Sequence, residues 1–311
     1  MRLSVIVCTH NPHPARLHRT LAGLCAQTLP SAEWETLLVD NASQPPLSLD
    51  PLPRPLPAQL RLIHEPTPGL TAARRCGLRA AHPESELCVF VDDDNVLAPT
   101  YLASALALFS HRPSLAAAGG PSRPEFEQTP PAWTAEFFPL LALRDLGPNL
   151  QFARLERSPP NDPPNYPHCA PIGAGMVVRR AAMRPWLDNA STRSLSDRRG
   201  RELSSAGDND IVLSLLQQGL EVAYSPELAL THLIPPTRLD PDYLGRLNRG
   251  IQKSWMQVLT AHQINPWPPI AAWTAPLRQL KAWFSHRAWS TPAARIRWQG
   301  ACGHFKGRIA E

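Results

Sequence analysis

Short apolar runs and amphipathic stretches alternate through the first 120 residues. Leu3-Ser4-Val5-Ile6-Val7-Cys8 reads as a buried strand, and Leu17, Leu21 and Leu24 then recur at helical spacing between about His13 and Gln27. Thr36 to Asp40 predicts a second strand and Leu60 to His64 a third. Gly69 to Ala81 predicts a helix, Leu87 to Val91 a fourth strand, Tyr101 to Phe109 a helix and Leu115 to Ala118 a fifth strand. Strands that are apolar throughout and alternate with helices predict an α/β fold, with a Rossmann-like, mostly parallel central sheet flanked by helices. Ligands bind beyond the carboxyl ends of such strands. Here those ends carry Thr9-His10-Asn11, Asp40-Asn41 and Asp92-Asp93-Asp94.

The pattern breaks down from about residue 121 to 171 into prolines, aromatics and charges. It resumes with a strand at Ile172 to Val178, a helix at about Asp208 to Gln218 that buries Ile211, Val212, Leu215 and Leu216, and short strands at Leu220 to Tyr224 and Leu228 to Thr231. The last seventy residues read as helical, with Trp255, Trp267, Trp273, Trp283, Trp289 and Trp298 set among basic residues. That tail fits either an interfacial helix on anionic lipid or an appendage packed on the domain. Trp133, Phe137, Phe138 and Tyr166 suit stacking on a sugar or lipid, or core; core is the favoured reading.

Composition narrows the picture further. The chain has 311 residues and 36 prolines, most of them between the periodic segments, where they stiffen loops. A net charge of +5 favours anionic partners, but no nucleic-acid module is recognisable, so nucleic acid is not expected. Six scattered cysteines without CxxC spacing read as reduced thiols of a cytoplasmic protein. The first apolar run is too short for a signal peptide, and no run is long enough to span a bilayer.

Candidate chemistry gathers at a few positions. Asp92, Asp93 and Asp94 end a strand, where their mutual repulsion calls for a cation; an acidic turn is the alternative. If the segment stays extended, Asp92 and Asp94 point to one side and Asp93 to the other. Two oxygen ligands on one side suit Mg²⁺ or Mn²⁺, shared with a diphosphate. Asp208, before an amphipathic helix, can take a proton from an attacking hydroxyl or simply cap the helix. Arg74 and Arg75 can reach a phosphate or form a solvated basic face. His232 can bind a metal or a phosphate, or be structural.

Six segments taken together resemble family 2 glycosyltransferases of the GT-A fold over about residues 1 to 240. They are Val5-Ile6-Val7-Cys8-Thr9-His10-Asn11, Leu38-Val39-Asp40-Asn41-Ala42-Ser43, Gly69-Leu70-Thr71-Ala72-Ala73-Arg74, Val91-Asp92-Asp93-Asp94, Gly173-Ala174-Gly175-Met176-Val177-Val178-Arg179-Arg180 and Gly207-Asp208-Asn209-Asp210. The resemblance implies a catalytic domain at 1–240, with a nucleotide-sugar half to about 120 and an acceptor half beyond it, followed by a basic, Trp-rich appendage at 241–311. It implies a metal-dependent, inverting, hexosyltransferase-type enzyme that uses a nucleotide sugar, a UDP-sugar first, on an unidentified glycan, lipid or protein acceptor. Thr9, Asn11 and Asp40 would line the nucleoside pocket, and Arg74 and Asp93 would help hold the donor. Asp92 would touch ribose or the metal shell, while Asp94 and His232 would hold the Mn²⁺ or Mg²⁺. Asp208 would be the base, with Asp210 in reserve. Gly207 stands where relatives often have Glu, and Arg75 where they often have Asn.

Other classes fit less well. A nucleotidyltransferase would usually need a glycine-rich basic loop after the first strand, which Thr9-His10-Asn11-Pro12-His13-Pro14 does not supply. A glycosidase needs two carboxylates flanking the bond and no nucleotide site. A catalytically degenerate relative acting as a membrane-surface scaffold is the non-enzymatic alternative.

Overall fold

The computed structural model describes residues 1–52, 54–57, 59–156, 165–189 and 206–309. Strands β1 (Leu3–Thr9), β2 (Trp34–Asn41), β3 (Leu60–Glu65) and β4 (Leu87–Asp92) lie parallel in the spatial order β3-β2-β1-β4. Helices α1 (Pro14–Cys25) and α2 (Leu70–Ala80) connect them. Every residue of β1 and β2 is buried, as strands covered on both faces require. Leu3, Val5 and Val7 pack with Leu17, Leu21 and Leu24 on one face, and Ile6, Cys8 and Phe90 face the other core. Each such large side chain contributes about 1.5–3 kcal/mol when fully buried. The register aligns Thr9 with Asp40 and Cys8 with Asp92, so three polar strand ends stand in one row.

After β4 come β5 (Asn95–Leu97), α3 (Tyr101–Ser110), β6 (Leu115–Gly119), β7 (Ser122–Phe126) and β8 (Gln151–Ala153). Strand β9 (Val177–Arg179) runs antiparallel between β4 and β6, and α4 (Arg184–Asn189), α5 (Gly207–Leu216), β10 (Glu221–Tyr224) and β11 (Leu230–Ile234) follow. Among the described residues the main sheet has eight strands, and a second sheet has three in the order β5-β11-β7. In the small sheet His232 pairs with Asn95, which carries the histidine next to Asp94.

The strand expected over Ile172 to Val178 is confined to β9. Residues 172–176 form a turn, in which Gly175 sits at φ 70° and its carbonyl accepts from the Tyr101 hydroxyl. A Cβ on Gly175 would stand 2.5 Å from the Leu230 side chain, so the turn needs a glycine on both conformational and steric grounds. The prolines and aromatics of 121–171, of which 157–164 lie outside the described residues, supply core. Phe137 packs with Leu141 and Ile234, and Tyr166 meets Trp255 edge-on with ring centres 5.1 Å apart.

Helices α6 (Pro241–Ala261), α7 (Ala275–Ser285) and α8 (Pro292–Gly307) complete the chain. Asp240 caps α6 by accepting from the amides of Asp242 and Tyr243. Met256, Val258 and Leu259 of α6 share one core with Ile6 and Phe90. α6 and α8 approach closely at Gly303, where a Cβ would lie 2.1 Å from the Arg249 carbonyl. No described helix is long and apolar enough to cross a membrane.

Candidate functional site

At the end of β4 the chain turns at Asp93 and Asp94 before entering β5. Of the two arrangements open to the acidic trio the chain adopts a turn rather than an extended run, and Asp92, Asp93 and Asp94 all line one cleft of about 470 Å³. The Thr9 hydroxyl donates to Asp93. Burial, and then the carboxylates of Asp94 and Asp92, push the Asp93 carboxyl up to about 7. His232 Nε2 lies 3.3 Å from Asp94 Oδ1, which also accepts from Asn95 at 3.1 Å. Arg238 Nη2 approaches Asp94 Oδ2 at 3.9 Å, and the same guanidinium donates to the Tyr243 hydroxyl. Burial disfavours its charge, but Tyr243, Asp94 and Asp92 together raise its pKa above the ordinary arginine value.

Asp208 stands in the first turn of α5 and lines the same cleft. Its Oδ2 accepts from the Gly173 amide at 3.0 Å, and its Oδ1 from the Asn209 amide at 3.0 Å. Two donors thus fix the orientation of the carboxylate. Arg74 is buried over the Phe90 ring at 5.3 Å, and its Nε has no hydrogen-bond partner among the described residues. It reaches the glycine that orients Asp208, because a Cβ on Gly173 would lie 2.5 Å from Arg74 Nη2.

Thr9, Asp92, Asp93, Asp94, Asp208 and His232 are thus brought together, while Asp40, Asn11 and Asp210 do not line the cleft. Asp40 is buried and accepts from the amides of Ser43 at 3.2 Å and Leu47 at 2.9 Å, and from His64 at 3.2 Å. Burial pushes its pKa up, but these donors outweigh it and hold the carboxyl below its usual value. Asn11 ties the first loop to the second: its amide donates to the Ser43 hydroxyl and its side-chain oxygen accepts from Gln44, both at 2.8 Å. Asp210 faces the interior, where it accepts from Trp186 Nε1 at 2.7 Å and meets His262 Nε2 at 2.8 Å.

Residues not singled out from sequence also line the cleft. His10 Nδ1 donates to the Asn41 carbonyl at 2.7 Å. Asn41 accepts from the Gly69 amide at 2.8 Å and donates to the Thr67 carbonyl at 2.7 Å, which shapes the loop leading into α2. His10 follows β1 and Asn41 ends β2, and that strand-end position is the signal the sequence offers for both. Arg238 comes from the turn after β11, and Leu140, Leu141, Ile234 and Ile251 add apolar lining to the same cleft.

Among the described residues, no three His, Cys, Asp or Glu side chains are grouped closely enough to hold a metal alone. Asp94 and His232 nevertheless offer an oxygen and a nitrogen side by side, and His232 Nδ1 is buried without a hydrogen-bond partner among those residues. This donor set fits a hard divalent cation whose other positions are filled by ligand oxygens and water.

A family profile described as Glycosyl transferase family 2 matches residues 4–183. The succinoglycan biosynthesis protein ExoW of Rhizobium meliloti (strain 1021) is 30% identical over 106 residues, a third (33%) of each chain. The mannosyltransferase PcManGT from Pyrobaculum calidifontis, solved with GDP-Man and Mn²⁺, superposes with a TM-score of 0.54 at 17% identity, covering 94% of this chain and 73% of that one. S. aureus TarS gives a TM-score of 0.49 at 15% identity, over 99% of this chain and 55% of that one. The likeness to PcManGT is one of fold, the GT-A arrangement with C-terminal helices.

Proposed function

The chain belongs to glycosyl transferase family 2, and from that premise we propose that it moves a hexosyl group from a nucleotide sugar, a UDP-sugar first, to a hydroxyl of an unidentified acceptor. The observation that carries this reading is convergence. The strand-end carboxylates, Asp208, His232 and Arg238 come from distant parts of the sequence and meet on one cleft beyond the carboxyl edge of the sheet.

In this reading the nucleotide lies along the ends of β1 and β4, where Thr9, Asp93 and Arg74 help hold it. Asn11 and Asp40 act one step removed, by fixing the loop that carries Asn41 and Ser43. Asp94 and His232 would hold Mn²⁺ or Mg²⁺ together with oxygens of the ligand and water, and Asp92, on the same wall, would reach the cation only through that shell. When bound, the cation neutralises charge on the departing nucleoside diphosphate. Arg238 adds a fixed positive charge on the same side. Asp208 accepts the proton of the acceptor hydroxyl as its oxygen bonds to the anomeric carbon and the bond to the diphosphate breaks, giving inversion. The apolar lining of the cleft, Leu140, Leu141 and Ile251, receives the acceptor.

A thermal-shift series with UDP, GDP and dTDP, each with and without Mn²⁺, tests the reading. One diphosphate should stabilise the protein selectively and more strongly with metal, by roughly 3 kcal/mol at a hundredfold excess over Kd. No shift with any of the three would refute it.

A further inference from the structure

We propose that the outward face of α7, with the turn that follows it, docks this protein on the surface of an anionic lipid bilayer. A helix on a globular protein normally turns its large apolar side chains inward. α7 does the reverse. The small residues Ala275 and Ala282 are buried, whereas Leu277, Leu280 and Phe284 are 63%, 55% and 61% exposed, and Trp273 just before the helix is 76% exposed. Positions 273, 277, 280 and 284 follow the spacing of a single helical stripe. Trp289, 59% exposed in the turn beyond α7, extends it and is held by Phe284 and Trp283 at ring-centre distances of 5.8 and 6.3 Å. Trp283 is itself anchored edge-on against Trp298 of α8 at 4.8 Å. The stripe is therefore presented on a firm backing.

Charge selects the occupant. From Tyr243 to Ile309 the sequence has ten lysines and arginines and no aspartate or glutamate. Lys281 lies beside the stripe, and Arg278 and Arg287 are exposed nearby. A groove of about 430 Å³ beside the stripe shares Trp283 and Trp289 with it and is lined by Arg246 and Arg295 against a single carboxylate, Asp242. Guanidinium groups beside tryptophans suit lipid phosphates lying just above the acyl chains. A second copy of this chain would bring the same positive surface onto itself and be repelled, whereas an anionic bilayer supplies both the apolar layer and the opposite charge. With 11 residues α7 is too short to span a membrane, so it lies in the interfacial plane.

The stripe shares no residue with the cleft, so the proposal stands or falls separately from glycosyl transfer. The full chain should co-sediment with phosphatidylcholine vesicles containing about 30% phosphatidylglycerol, with a blue-shifted tryptophan emission and a loss of binding in high salt, and should ignore pure phosphatidylcholine. Leu280→Gln with Phe284→Gln, and separately Arg278→Glu with Lys281→Glu, should each weaken vesicle binding about tenfold or more. Both pairs are exposed, so circular dichroism and UDP binding should not change, and Tm should fall only slightly where Phe284 loses its contact with Trp289. Failure of the wild type to bind anionic vesicles, or undiminished binding by both double variants, overturns the proposal. So does a dimer in sedimentation velocity that Leu280→Gln with Phe284→Gln abolishes while no vesicle binding is seen, because that outcome assigns the face to a second copy.

Discussion

The amide nitrogen of Gly173 sits 3.0 Å from Asp208 Oδ2, and the missing side chain at that glycine is the space that Arg74 fills. A methyl group there would press on the Arg74 guanidinium at 2.5 Å and on the Asp208 carboxylate at 3.3 Å. Gly173→Ala should therefore displace both groups while leaving the strands intact. Glycosyl transfer is expected to fall by about 100-fold, because small misplacements of reacting groups are costly, with an unchanged circular dichroism spectrum. Steady-state rates on any accepted donor provide the check, and wild-type turnover in the variant would remove Gly173 from this role.

Asp208 and Asp210 should separate cleanly. Asp208→Asn is expected to lower kcat by roughly 10²–10⁴-fold with little change in UDP affinity, since in the proposed reaction Asp208 takes a proton and does not touch the nucleotide. Asp210→Ala takes a buried acceptor from Trp186 and His262 and should cost about 2–4 kcal/mol of stability. Urea titrations of the two variants beside wild type would show whether the losses fall in these different places.

Asp94→Asn tests the cation. The substitution keeps the shape of the side chain but removes the charge beside His232 and Arg238. Donor cleavage should drop by about 10²-fold or more, and its dependence on Mn²⁺ concentration should move to higher metal. Cleavage unaffected by a chelator in both proteins would remove metal from the reaction.

A structural carboxylate predicts the acid response. Arg112 at 2.6 Å, then Ser114 at 2.7 Å and Arg154 at 3.0 Å, outweigh burial and hold Glu221 down at about 2, against an ordinary value of 4.5. A depressed folded-state pKa gives stability that is complete above the unfolded value and is lost as the pH falls from 4.5 toward 2. Glu221→Gln should therefore be about 1–2 kcal/mol less stable than wild type at neutral pH, allowing for the half-exposed arginines. The gap should narrow as the pH falls through 3, which Tm measurements across that range would reveal.

Much of the sheet was legible because a strand buried on both faces must be apolar along its length, as Leu3 to Cys8 and Leu87 to Val91 are. The gathering of the acidic trio, Thr9 and His232 on one cleft was legible because they sit at strand ends or beside them. Three features escaped for physical reasons. Asp208 and Asp210 look equivalent in sequence, but two steps along a helix rotate a side chain by about 200°, which sends one to the cleft and the other to the core. The turn at Asp93 and Asp94 depends on β5 pairing with β11, a partner more than 130 residues away. The apolar lining of the cleft draws Leu140, Ile234 and Ile251 from three separate segments, and no local pattern marks residues that meet only in three dimensions.

Helix α6 has Ile251 on the cleft, places Met256, Val258 and Leu259 in the core that Ile6 and Phe90 also enter, and packs along α8. The tail is thus a keystone more than a trailing module. Cutting the chain after residue 240 would strip cladding from the sheet and open one wall of the cleft in a single stroke. Grafting a relative's tail onto this body would succeed only if the graft brought its own match for that shared core.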